Sequence, residues 1–482
     1  MVCAAMTAKP AYRGPIVCTQ PDGSQKIMYM PQTHRMPQQK EETGGKPNLA
    51  PKGLVILANF ADVQFVTPRD TIDNMLNGAH FTRHYTYTYQ PESGRPVTRT
   101  INSSGSARQY FIDQSYGQYV PVFDVIGPVT VSHEMEYYGA DKDAKAGEMI
   151  KEACELADKL GVDFRLYDHD NDGAVDAVYV IYAGFGEADG GGENTIWPHQ
   201  HNLIYTGNSC TIDGKRIEKY ACGCEMNNIS KVYDGIGTFC HEFSHVLGLP
   251  DMYETTQEKS GIHTLEQWDI MDYGPYNNDG NTPPSYSAYE RMYMGWLMPR
   301  VLTEKEYVTL QPINRDKGES LLISPSNTHN LCGWDPDPQT FYMLEVRETT
   351  GWDAALPGNG MMLTRIMFNA YRWLHNVVNN NSRAQGIDII EAHENTSKRA
   401  AASDLYPIGA TEWTGMEGHE ITNIEMGING AICFSYKGAE KPLDEAIEEV
   451  EHTPSEVRKI WKNGQVVIVR GDKEYDILGR LL

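Results

Sequence analysis

No two of the nine cysteines are spaced as a CxxC pair, and no four of them form a zinc-ribbon array. A redox dithiol and a cysteine-built metal knuckle are therefore excluded. The cysteines stand at positions 3, 18, 154, 210, 222, 224, 240, 332 and 433, and their odd number argues against a complete disulfide framework. Cys154 and Cys433 lie in apolar surroundings that suit small core residues. No stretch of about eighteen apolar residues occurs, so no membrane-spanning helix is expected. Basic residues are scarce: 41 Lys and Arg face 65 Asp and Glu, for a formal charge of −24. Such a surface repels nucleic acid and anionic membranes, and both are set aside as partners. The start, Met1 to Met6, has neither the positive charge nor the apolar run of a signal peptide, which leaves a cytosolic chain or one whose targeting segment has been removed. The glycine-rich run Gly184, Gly186, Gly190, Gly191 and Gly192 lacks the lysine and hydroxyl of a phosphate-binding loop. A mobile loop beside a cleft is the better expectation.

What the chain does have is length and an ordinary apolar content. Its 482 residues, 40% hydrophobic, allow a large core and roughly two to four domains. The chemistry concentrates in Cys240-His241-Glu242-Phe243-Ser244-His245-Val246-Leu247-Gly248-Leu249-Pro250-Asp251. If Ile236 to Leu247 is helical, His241 and His245 are surface neighbours at i and i+4 and form a two-point metal clamp. Zinc accepts neutral histidine nitrogens, and a catalytic site keeps three protein ligands and one open position. Glu242, beside the first histidine, can then take a proton from water. Gly248 suits a left-handed helix stop, and Asp251 follows at the spacing of a returning third ligand. Glu254, one turn further on, is the alternative, with Asp251 then orienting a histidine. Trp268 to Gly274 reads as a methionine-containing turn under the site, with Met271 at its centre.

A second signal is Asp168-His169-Asp170-Asn171-Asp172-Gly173-Ala174-Val175-Asp176. Carboxylates at 168, 170 and 172, the Ala174 carbonyl and Asp176 match the first nine positions of a calcium loop. Tyr179 replaces the closing glutamate and a strand follows, so this is not an EF-hand. The alternative is a turn that binds nothing. His199 or His201 could supply a metal ligand, although a satisfied structural histidine is the more ordinary reading.

The first 52 residues are proline-punctuated, with one hairpin expected at 16–19 and 26–29. A buried strand is expected at 53–60, a strand at 120–131, an amphipathic helix at 143–160 with Leu160 in its apolar stripe, and a strand at 177–182. Ser106 is a candidate N-cap. From Tyr307 short strands separated by turns predict a β-rich, sandwich-like region. An acidic linker at 439–456 and a small β module at 457–482 close the chain.

His241 to Asp251 with Met252-Tyr253, the 168–184 segment, Ile196 to His199, Trp268 to Gly274, and Glu345 through Trp352-Asp353 to Gly358 resemble the M6 metallopeptidases, the immune inhibitor A group. The resemblance covers roughly Gly53 to Tyr436. It implies an α+β fold: a zincin-like catalytic domain (53–300) with an active-site helix and Met-turn, then a β-rich domain (301–438). It also implies a secreted or cell-surface zinc endopeptidase acting on protein or peptide substrates, often calcium-stabilised and made with a pro-segment, here residues 1–52. In a latent form Cys18 would cap the zinc as a thiolate; the alternative is an incidental cysteine. By analogy with related proteases Tyr273 would donate to the oxyanion, unless it is a packing tyrosine. The last segment resembles Bacteroidetes sorting segments. The rival readings are a non-catalytic protease-like protein that binds a glycan or host protein, and a zinc hydrolase acting on something other than peptides.

Overall fold

Along the strand β1 (Lys52–Asn59) both sets of alternating side chains are buried, which requires a layer on each face of its sheet. The computed structural model meets that requirement. It describes residues 51–442 except 92–93, 177, 189, 257–259, 316–317 and 398, together with strands Ile16–Thr19, Gln25–Met28, Val457–Lys462, Gln465–Arg470 and Lys473–Tyr475. The rest of the lead-in, the side chain of Cys18 and the acidic segment from residue 443 lie outside the described residues.

Four further strands join β1: β2 (Val122–Thr130), β3 (Val178–Phe185), β4 (His199–Asn202) and β5 (Lys219–Met226). Their order is β2-β1-β3-β5-β4, with every pair parallel except β5 with the edge strand β4. Val55, Leu57, Phe123, Tyr179 and Ile181 face one core, shared with Phe239, Phe243 and Val246 of helix α2 (Gly237–Leu247). Leu54, Ile56, Ala58, Val178 and Val180 face the other, filled by Met149, Ile150, Ala153 and Ala157 of helix α1 (Ala146–Lys159). The apolar stripe of α1 thus packs where its periodicity predicts, with one correction. Leu160 is the C-cap residue and is 62% exposed, because the helix ends before the stripe completes another turn.

The hairpin Ile16–Thr19 with Gln25–Met28 pairs antiparallel, and Ser106 caps the helix Ala107–Gln114 by accepting from Gln109 N–H at 3.2 Å. The threonine- and tyrosine-rich stretch after β1 forms a hairpin of Thr82–Tyr89 and Val97–Ser104. Threonines pair across one face (Thr86 with Thr100, Thr88 with Thr98) and tyrosines line the other.

Beyond residue 300 two sheets lie face to face. One has the order Arg300–Val301, Leu321–Ile323, Thr340–Arg347, Gly360–Met367, Ile387–Ile389; the other, Glu306–Leu310, Ile432–Tyr436, Ile421–Met426. Leu344, Val346 and Leu363 meet Val308, Ile421 and Phe434 between them. The outer face of the five-stranded sheet, with Phe341, Met343, Met362 and Ile366, belongs to the same core as Phe239 and Met271, so apolar packing runs unbroken across the 300/301 division. Residues 439–482 form a separate compact unit containing an antiparallel three-stranded meander.

Arg347 sits at this junction, fully buried between Glu345 (2.5 Å) and Asp353 (3.3 Å). Removing one partner of a buried ion network leaves uncompensated charge, at a cost of about 3–5 kcal/mol. Arg347→Met should therefore lower unfolding stability by about that amount in urea titrations; a loss below about 1 kcal/mol would show that the network is replaceable.

Candidate metal centre

Helix α2 divides its faces as its sequence dictates. Phe239 and Phe243 stack on the sheet, with ring centroids 5.0 and 5.2 Å from Phe123, and His241 and His245 lie together with centroids 4.8 Å apart. The helix starts tight against the turn beneath it: a Cβ on Gly237 would fall 2.0 Å from Pro275 O, so only glycine fits. It stops at Gly248, whose φ of 108° is costly for other residues and turns the chain back toward the histidines.

That reversal carries Asp251 to both imidazoles. Asp251 Oδ1 lies 3.3 Å from His241 Nε2 and 3.1 Å from His245 Nε2, and the three side chains form a group able to hold a metal ion. Each imidazole donates its Nδ1–H to a carbonyl, His241 to Ile270 O and His245 to Leu249 O, both at 2.7 Å. In the neutral rings Nε2 then carries the lone pair. Asp251 Oδ1 is buried with no hydrogen-bond donor among the described residues. Two lone pairs and an unpartnered carboxylate oxygen pointing together fit a cation, so the donor set suits the metal that its spacing predicts. Without one, protons do part of that work. Burial alone would depress the histidines, but Asp251 outweighs it and raises His245 to about 9; burial opposes ionisation of Asp251 too, yet the histidines hold its pKa below the usual carboxylate range. Glu242 is also buried, and burial raises its pKa against the pull of His241 and His245.

The other residues singled out by sequence fall as follows. Glu254 is buried but accepts from Ser260 N–H at 2.7 Å and is not in the metal group. His199 is a structural residue, bonded to Trp197 O (2.6 Å) and Tyr220 Oη (2.8 Å). Met271 is fully buried, its carbonyl accepting from Met252 N–H at 2.8 Å. Tyr273 is 48% exposed, its ring 6.5 Å from that of Tyr253. In the acidic loop Asp168, Asp170 and Asp176 converge, whereas Asp172 accepts from Ala174 N–H at 2.8 Å and Ala174 bridges to Arg216. Lys215 Nζ lies 2.6 Å from Asp168 Oδ2. In the glycine-rich loop after β3, Gly191 N–H donates to Gly186 O and Glu187 N–H to Ile196 O.

Two features escaped the sequence reading. Asn376 hydrogen-bonds Asp251 through both ends of its amide, at 2.6 Å each. Its one signal is a run of asparagines, Asn376, Asn379, Asn380 and Asn381, in a β-rich region. The other is an acid pair beneath the turn. Asp269 Oδ1 accepts from Met271 N–H at 2.8 Å, while Asp269 Oδ2 and Glu290 Oε1 are buried without a donor among the described residues. Burial raises both pKa values, that of Asp269 well above the usual carboxylate range with the charge of Glu290 adding to the effect, and that of Glu290 to about 7.

Two histidines and one carboxylate, gathered on and after a buried helix, form a three-residue group able to hold a metal ion. The catalytic domain of the immune inhibitor A peptidase M6 family matches residues 39–298, more than half of the chain. The chain belongs to the M6 metallopeptidase family. It is 26% identical over 273 residues to the pre-pro-metalloprotease PrtV of Vibrio cholerae serotype O1 (strain M66-2), covering 50% of this chain and 29% of that protein. It is 27% identical over 216 residues to immune inhibitor A of Bacillus thuringiensis subsp. alesti, covering 39% of this chain and 31% of that protein. The chain thus spans less than a third of the length of either relative. No helix among the described residues is long and apolar enough to cross a membrane.

The acid pair gives a pH prediction. Both pKa values are raised by burial, Glu290 to about 7, so the pair holds protons in the folded state at pH values where the unfolded carboxyls have lost them. The folded state binds more protons there, so stability should fall as pH rises from about 4.5 through neutrality. Glu290→Gln keeps a donor for Asp269 and should flatten that slope in urea midpoints measured across pH. An unchanged slope would place the proton elsewhere.

Proposed function

We propose that this chain is a zinc-dependent endopeptidase whose metal is held by His241, His245 and Asp251. The observation that carries the reading is the convergence of two Nε2 lone pairs on the unpartnered Asp251 Oδ1. When bound, zinc would polarise the scissile carbonyl and lower the pKa of a water toward about 7. Glu242, its carboxylate pKa raised by burial toward the working range of a general base, takes the proton of the attacking water and returns it to the leaving amine. Trp268 to Gly274 acts as the Met-turn of a zincin, fixing His241 through Ile270 O. Tyr273, exposed rather than packed away, is the proposed donor to the oxyanion. Asp168, Asp170 and Asp176 would hold calcium, with Asp172 and Ala174 shaping the loop. We read residues 1–52 as a pro-segment and 457–482 as a sorting segment of a secreted protein.

Glu242→Ala should leave zinc bound, measured by elemental analysis, and lower casein cleavage by about 10²–10⁴-fold, the usual worth of a general base. Asp251→Ala should deplete zinc. Full zinc occupancy in Asp251→Ala would refute the ligand assignment. Absence of chelator-sensitive cleavage by the parent, even after removal of the first fifty or so residues, would favour a binding protein over an enzyme.

Calcium should raise the melting temperature of the parent in a concentration-dependent way. Asp170→Ala should abolish that rise, and no rise in the parent would leave the loop as a turn tied by Lys215.

A further inference from the structure

We propose that Asn376, which lies beyond the segment matched by the family's catalytic domain, is the positioning residue for the third metal ligand. The inference rests on the reading of Asp251 as that ligand. Asp251 presents Oδ1 to both histidines, and its other oxygen, Oδ2, accepts from Asn376 Nδ2 at 2.6 Å. Asn376 Oδ1 in turn accepts from the Asp251 backbone N–H, also at 2.6 Å. One amide therefore holds the main chain and the carboxylate of the same residue, which fixes the side-chain torsions that aim Oδ1.

The grip extends along the segment. Asn379 Nδ2 donates to Met252 O at 2.7 Å, Thr255 N–H donates to Asn380 Oδ1 at 2.8 Å, and Thr255 Oγ1 donates to Asn376 O at 2.9 Å. From the other side Met271 O takes the Met252 N–H. Residues 251–255 belong to no helix or strand, so these bonds stand in for regular structure in placing the ligand. Asn376 has a φ of 55°, a left-handed conformation that asparagine tolerates better than most residues.

The amide is chemically suited to the task. A carboxylate ligating through one oxygen needs its second oxygen engaged, or it is free to rotate; a neutral N–H donor engages it without cancelling the charge that attracts the metal. The β-rich region thereby contributes to the metal centre although none of its side chains belongs to the metal group among the described residues.

The test uses the full chain and zinc alone. Asn376→Gly retains the left-handed backbone and deletes both amide bonds. Asn376→Asp keeps the acceptor for the Asp251 N–H and replaces the donor with a second carboxylate. Asp251→Ala is the control. Zinc affinity is measured by competition with a chromophoric chelator, alongside far-UV circular dichroism and the unfolding midpoint of the metal-free protein. The expected result is a loss of zinc affinity of about 10–100-fold in Asn376→Gly, and at least as much in Asn376→Asp, with the metal-free spectrum unchanged. Parental zinc affinity in Asn376→Gly, while Asp251→Ala loses zinc, would overturn the positioning role. A lowered metal-free midpoint with parental zinc affinity would also overturn it, since that is the signature of a merely structural residue. Parental affinity in both Asn376→Gly and Asp251→Ala would overturn the ligand reading beneath it. Should Asn376→Gly not fold, Asn376→Asp is judged by the same criteria.

Discussion

His241, Glu242 and Asp251 are buried at one place with His245 largely covered beside them, and each buried polar group has to be given a partner. That requirement shapes the surrounding structure. The His241 ring needs an acceptor for its Nδ1–H, which puts the Ile270 carbonyl under the helix; the His245 ring needs another, which puts the Leu249 carbonyl just past the helix end. The turn that supplies Ile270 must itself be held. Asp269 takes the Met271 N–H, and burial beside Glu290 raises the Asp269 pKa, which favours its neutral form.

From Glu290 the polar chain continues without reaching solvent. Glu290 closes a capping box with Ser287 at the start of the helix Ala288–Tyr293, whose first N–H, that of Ala288, is taken by Glu345. Glu345 pairs with Arg347 and Arg347 with Asp353, which accepts from Ser285 N–H at 2.8 Å. A path of buried polar groups thus leads from the turn under the histidine-bearing helix into the five-stranded sheet. The β-rich region is therefore a wall of the site, in polar bonding as well as in apolar packing.

Much of the catalytic layer could be read from the sequence because its cues are local. The His241–His245 spacing, Gly248 and the apolar stripe of α1 each depend on residues within a few positions of one another, and the helix, its stop and its buried face follow. The strand β5 was not legible, because Ala221-Cys222-Gly223-Cys224 has neither β-branched residues nor alternation; it is a strand only because β3 and β4 flank it. Asn376 was illegible for a related reason. It meets Asp251 across 125 positions of sequence, and a polar residue in a turn carries no mark of the distant carboxylate that it will orient. The acid pair is likewise non-local: Asp269 reads as a turn residue and Glu290 as a capping residue until the fold puts one against the other.

The two carboxylate groups differ in how their charge is balanced. Among the described residues the cations that act on Asp251 are imidazoles, which neutralise it when protonated and cease to do so when they lose their protons. A divalent ion held there would take over that neutralising role and displace the protons. At Asp168 the neutralising partner is Lys215, a permanent cation already 2.6 Å away, and Gly173 N–H adds a further bond at 3.1 Å. An ion entering that loop has to share Asp168 with an ammonium and draws its net attraction from Asp170 and Asp176. The larger number of acidic side chains in the loop therefore does not by itself imply the higher affinity. The His241, His245 and Asp251 group has only titratable counter-charges among the described residues, while the loop already holds part of its own counter-charge in Lys215.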